Sequence, residues 1–135
     1  MYVSRLDADD WTAGAQRDEV TEQPELARIE DILDRLDGER YTLAVLSAGD
    51  NIYMGVGGGA EGKYVVFINY NDEEFYSLKD PNPALPEEEV VVLSIGGRRD
   101  EYPARQCVDR ETMSRAALRF AIDGTREATV TWERQ

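Results

Sequence analysis

Apolar residues alternate most clearly between Asp50 and Tyr70, and this stretch predicts two strands joined by a glycine-rich turn. Ile52, Met54 and Val56 share one face of the first strand, because successive strand side chains point to opposite sides. Its other face carries Tyr53, Gly55 and Gly57 and is nearly bare after the tyrosine. Glycine inside a strand marks a close backbone approach, a bulge or an aromatic ring laid over the gap. The second strand, Lys63 to Tyr70, is apolar or aromatic on both faces, which suits a central strand covered on both sides.

A second rhythm, of helical spacing, occurs twice. Leu26, Ile29, Leu33 and Leu36 recur with Ile32 alongside. Thr21 is the expected cap, the start falls between Thr21 and Pro24, and Gly38 is the stop. Asp31 and Arg35 sit one turn apart on the opposite, charged face. Asp109 is expected to cap the second helix, in which Met113, Ala116, Ala117 and Phe120 form the buried stripe and Gly124 the end.

Shorter strands are expected at Met1–Leu6, Tyr41–Ser47, Phe75–Leu78 and Thr129–Glu133, and a buried one around Val90–Leu93. Asp7–Val20 reads as a polar loop whose Trp11 folds back onto the core. Asn71–Glu73 reads as a turn, Asp80–Pro86 as a proline-rich loop and Gly96–Pro103 as an exposed loop of mixed charge. Strands joined by short turns are antiparallel, and helices with one apolar stripe cover one sheet face. The expected architecture is α+β: a mainly antiparallel sheet of about six strands with two helices packed on one face. One domain is expected over residues 1–135, with a strand plus polar loop in 1–20 and the core in 21–135.

Charge changes the picture most. The 135 residues carry a formal net charge of −13, which argues against nucleic-acid binding, since that needs Lys and Arg at the phosphates. It permits a basic protein partner, because opposite fields raise the association rate, though many bacterial proteins are simply acidic. No apolar run is long enough to span a membrane, and the first residues lack the basic and apolar regions of a signal peptide. With a single cysteine, Cys107, a cytoplasmic location is the default expectation.

Candidate chemistry is sparse. Gly57 to Lys63 is one residue short of a phosphate-binding loop, but Tyr64 stands where Ser or Thr must hold Mg²⁺, and a strand follows instead of a helix. The chain has no histidine, which removes the commonest general base and metal ligand. Cys107 has Arg105 and Arg110 nearby but no base, so a small buried residue is the better reading. The acidic runs lack calcium-loop spacing. No catalytic residue, cofactor or metal site is expected, and a binder is favoured over an enzyme. A secretion chaperone or adaptor, and an enzyme built on paired carboxylates, stand as alternatives.

Gly55-Val56-Gly57-Gly58-Gly59 leading into Lys63-Tyr64-Val65-Val66-Phe67 forms one recognisable part. Gly96-Gly97, Tyr102-Pro103, Val108, the Glu111–Gly124 helix and Val130-Thr131-Trp132-Glu133 form the other. In order and spacing, from about Tyr41 to Glu133, these resemble immunity-protein family one of the bacterial polymorphic-toxin systems. The resemblance implies an α+β protein encoded beside a secreted toxin, which it would bind to protect the producing cell. Such toxins are often nucleases or nucleic-acid deaminases, whose substrate-binding surfaces tend to be basic. A one-to-one complex covering the toxin active site is the expected mode, with the chain's own oligomeric state open. The resemblance brings no catalytic residue; the glycines and Trp132 look structural. Candidate contacts are exposed acids near aromatics: Asp72, Glu73, Glu74 and Tyr76 in one group, Asp100, Glu101 and Tyr102 in another. Arg98 and Arg99 are added as partners for acidic toxin groups.

Overall fold

The computed structural model describes residues 1–82 and 84–135. Pro83, within the expected proline-rich loop, lies outside the described residues. Arg5–Thr12 (β1) and Ala15–Glu22 (β2) form an antiparallel hairpin. Leu26–Arg35 (α1) follows, then Leu43–Ser47 (β3), Ile52–Gly58 (β4), Tyr64–Tyr70 (β5) and Glu74–Lys79 (β6). Val90–Ile95 (β7) and Arg98–Pro103 (β8) form a second hairpin, before Arg110–Asp123 (α2) and Thr131–Arg134 (β9). Seven strands make one antiparallel sheet in the order β2-β1-β3-β4-β5-β6-β9, and β7 and β8 pair separately. The architecture is the expected α+β, with nine strands among the described residues where about six were expected.

The main core lies between the helices and one face of the large sheet. Ile29, Ile32 and Leu33 of α1 and Met113, Ala116, Ala117 and Phe120 of α2 are buried there. They meet Leu6, Leu46, Met54, Val56, Val66 and Ile68 from the sheet. Asp109 caps α2 by accepting the Thr112 N–H at 2.8 Å, which holds its carboxyl below the usual carboxylate range. Gly124 ends α2 at φ +78°, a left-handed geometry that glycine adopts without Cβ cost. Leu26 and Leu36 complete the stripe of α1, but its cap differs from expectation. Thr21 belongs to β2, and Glu25 is the N-cap without a side-chain bond. Arg35 pairs with Glu19 of β2 at 2.7 Å rather than with Asp31, which faces Arg28 at 3.4 Å.

On the opposite face the β7–β8 hairpin lies over part of the sheet. A Cβ on Gly57 would stand 2.5 Å from the Ile95 side chain, so the missing side chain is what lets the hairpin approach. Leu93 joins Val65 and Cys107 in a small second core, against which Phe67, Val91, Ile95 and Tyr102 pack. The bare face of β4 is filled in the third of the anticipated ways: the Phe67 ring, directly across from Gly55, occupies its side-chain space.

Three segments differ from the sequence reading. Asp7–Val20 is mostly hairpin, because Asp9 and Asp10 are buried and β2, an edge strand, is exposed along most of its length. Neither feature gives an apolar alternation. Gly96–Pro103 is a tight Gly-Gly turn plus β8. The Val90–Leu93 run is only half covered: Val90 and Val92 are 47% and 45% exposed, since the hairpin has sheet beneath one side alone. Trp132 is partly buried against the main core and donates its indole N–H to the Glu127 carbonyl at 3.0 Å. Trp132→Ala should therefore cost about 3 kcal/mol, the low end of aromatic truncations. An unchanged urea midpoint would contradict that packing.

Candidate partner-binding surface

The nine expected contact residues occupy two regions on different sheets. Asp72 and Glu73 lie in the β5–β6 turn, where Asn71 and Asp72 take left-handed φ of 56° and 59°. The Asn69 side chain secures this turn: its amide donates to Asp72 at 2.9 Å, and its carbonyl oxygen accepts the Asp72 N–H at 3.1 Å. Glu74 is exposed at the start of β6 and lies 3.9 Å from Arg134. Tyr76 is turned inward. It is 7% exposed, stacks edge-on with Tyr70 at 6.1 Å and lies under the Arg126 guanidinium at 3.8 Å. Only its hydroxyl reaches outward, donating to Glu74 at 2.9 Å.

The second region is β8. Arg98, Arg99, Asp100 and Glu101 are exposed, whereas Tyr102 is half-buried against Val65, Leu93 and Cys107. Burial, first of all, pushes the Tyr102 hydroxyl above its ordinary pKa. Among the described residues no side-chain hydrogen bond or ion pair joins the two regions. Burial likewise raises the Cys107 thiol, which is 1% exposed, so it stays a neutral thiol near pH 7.

Between these regions lies sheet surface that the hairpin leaves open. The registers place side chains on it in two rows across the strands. One row runs Arg5, Ser47, Tyr53, Asn69, Phe75; the other runs Val20, Asp7, Val45, Gly55, Phe67, Ser77. Phe75 is 43% and Val20 48% exposed. Tyr53 and Phe67 are half-buried and meet edge to face at 6.5 Å. The next row, with Leu43, Gly57 and Val65, is the one that the hairpin covers.

Asp9 anchors the tip of that hairpin. It is 4% exposed and accepts the N–H groups of Thr42 at 2.7 Å and Leu43 at 2.9 Å. Its other oxygen accepts the Trp11 indole N–H at 2.9 Å and the Thr42 hydroxyl. Thr42 Oγ1 in turn accepts the Gly97 N–H at 3.0 Å, and the Trp11 ring fills the space where a Gly97 side chain would be. Trp11 thus folds back onto its own domain. In sequence Asp9 is one of several acids in a polar stretch, Asp7, Asp9 and Asp10, and such a cluster reads as solvated.

Charge on the open face is predominantly negative. Arg5 is held by Asp7 at 3.0 Å and Glu22 at 3.7 Å, while Asp18, Asp50, Asp72 and Glu73 have no ion pair among the described residues. In the same set no helix is long and apolar enough to cross a membrane. The arrangement is an aromatic centre on paired strands, with carboxylates around it.

No curated protein matches the sequence. A family model described as Immunity protein Imm1 matches residues 2–134, which is nearly the whole chain and includes the β1–β2 hairpin as well as the C-terminal elements. With that coverage and an α+β fold of the expected kind, the chain belongs to the Imm1 immunity protein family.

Proposed function

We propose that this chain binds a cognate secreted toxin domain and neutralises it through a tight one-to-one complex that blocks the toxin's active site. On this reading the toxin is a nuclease or a nucleic-acid deaminase, and the complex forms in the cytoplasm of the producing cell. The family match over residues 2–134 is the observation that carries the proposal. The net charge of −13 supports its electrostatic part. An enzyme that works on nucleic acid presents basic groups to phosphates, and an acidic inhibitor competes for that surface. Opposite fields also raise the association rate.

The test is co-expression with the toxin domain encoded beside this chain. Growth should be restored by the wild-type chain and lost when it is omitted. Purified together, the two should sediment as a one-to-one complex. Their association rate should fall at least tenfold between about 50 mM and 500 mM salt, as screening shortens the range of charge attraction. Undiminished toxicity in cells that make the folded chain would overturn the proposal.

A further inference from the structure

We infer that the toxin docks on the open half of the large sheet, over Tyr53, Phe67 and Phe75, and not primarily on β8. This inference rests on the immunity reading above. The face is built of backbone-paired strands, so its side chains are held in place before a partner arrives. Its centre is aromatic: Tyr53 and Phe67 brace each other edge to face at 6.5 Å, and Phe75 projects beside them at 43% exposure. Aromatic anchors at the middle of an interface supply most of its energy, and a polar rim excludes water around them. Here the rim is acidic, with Asp18 at one side and Asp50, Asp72 and Glu73 in the two turns that border the Tyr53–Asn69–Phe75 row.

These four carboxylates have no ion pair among the described residues, and the one basic side chain in the two rows, Arg5, is already held by Asp7 and Glu22. Unpaired acids around an apolar centre fit a partner that brings an apolar knob ringed by Lys and Arg. A surface that binds nucleic-acid phosphates has that ring already. Seven strands spaced about 4.8 Å apart make the face roughly 30 Å wide, on the scale needed for one side of a standard interface of about 800 Å². Tyr102 of β8 and Phe67 pack on the same small core, so the hairpin forms the lower wall of this face.

The experiment measures the dissociation constant for the catalytically inactivated toxin domain encoded beside this chain. Phe75→Arg, with a side chain already in solvent, and Asp18→Lys combined with Glu73→Lys should each weaken binding at least a hundredfold. Their circular dichroism and melting midpoints should match the wild type. Glu111→Lys, on the helix side, should leave binding within twofold. Wild-type binding that survives both changes intact would overturn this assignment while the immunity reading stands. A wild-type chain that fails to hold the toxin would overturn both. A homodimer that Phe75→Arg dissolves while toxin affinity is kept would give the face to a second copy and overturn the assignment as well.

Discussion

Asp9→Ala will destabilise the domain by about 3–5 kcal/mol, seen as a fall of roughly 10–20 °C in the melting midpoint. The side chain accepts four hydrogen bonds, from the Thr42 and Leu43 amides, the Thr42 hydroxyl and the Trp11 indole. Each donor left without a partner away from water costs about 1–3 kcal/mol, and water entering the gap recovers part of that. The effect reaches further than β1, because Thr42 also accepts from Gly97 at the tip of the β7–β8 hairpin. Asp9→Ala should therefore speed amide exchange at Gly97 and along β7–β8 before it affects α2. Asp9→Asn keeps the shape but turns an NH₂ toward donors, so it should fall between the two. A wild-type midpoint in Asp9→Ala would show that the hairpin is held by its apolar contacts alone.

Phe120→Ala should cost about 3–5 kcal/mol, read as a lower urea midpoint with an unchanged slope. Phe120 is fully buried on α2. Its ring meets Tyr2 edge-on at 5.7 Å and Tyr70 at 6.4 Å, and Tyr70 donates to the Gly124 carbonyl at 2.8 Å where α2 ends. Truncation opens a cavity between the helix and β5 that rigid strands cannot close. Phe75 gives the contrast, since its ring already faces solvent and Phe75→Arg removes no core contact. Comparable midpoints for the two variants would mean that the core collapses around the missing ring.

Much of the fold is legible in the sequence because burial there is one-sided and apolar. The stripes of α1 and α2, the Asp109 cap and the Gly124 stop all follow from spacing. The β4–β5 hairpin follows from alternation and its glycines. The β1–β2 hairpin does not, because two of its buried positions are aspartates satisfied through the fold: Asp9 by Thr42 and Leu43, Asp10 by Arg40 at 2.8 Å. A carboxylate answered from thirty residues away leaves no local trace. The surface is less legible. Leu78 is buried, and a period of two places Tyr76 on the same inner face and Phe75 outside. Nearness to the acids makes Tyr76 a candidate contact, but that parity turns its ring inward. The acids of the β5–β6 turn are exposed as expected, but what lies beside them is Phe75.

The β2 edge bears on self-association. Its outer side offers unpaired backbone groups, the usual route by which one sheet recruits another. Along that strand stand Arg17, Asp18, Glu19 and Glu22, with Val20 the only large apolar side chain. A second copy adding here would meet Asp and Glu from its own sequence, and two chains of net charge −13 repel each other before they touch. That repulsion opposes edge-to-edge growth of a chain that carries an aromatic sheet face. Raising the salt concentration removes the protection, so turbidity on storage should appear first at high ionic strength.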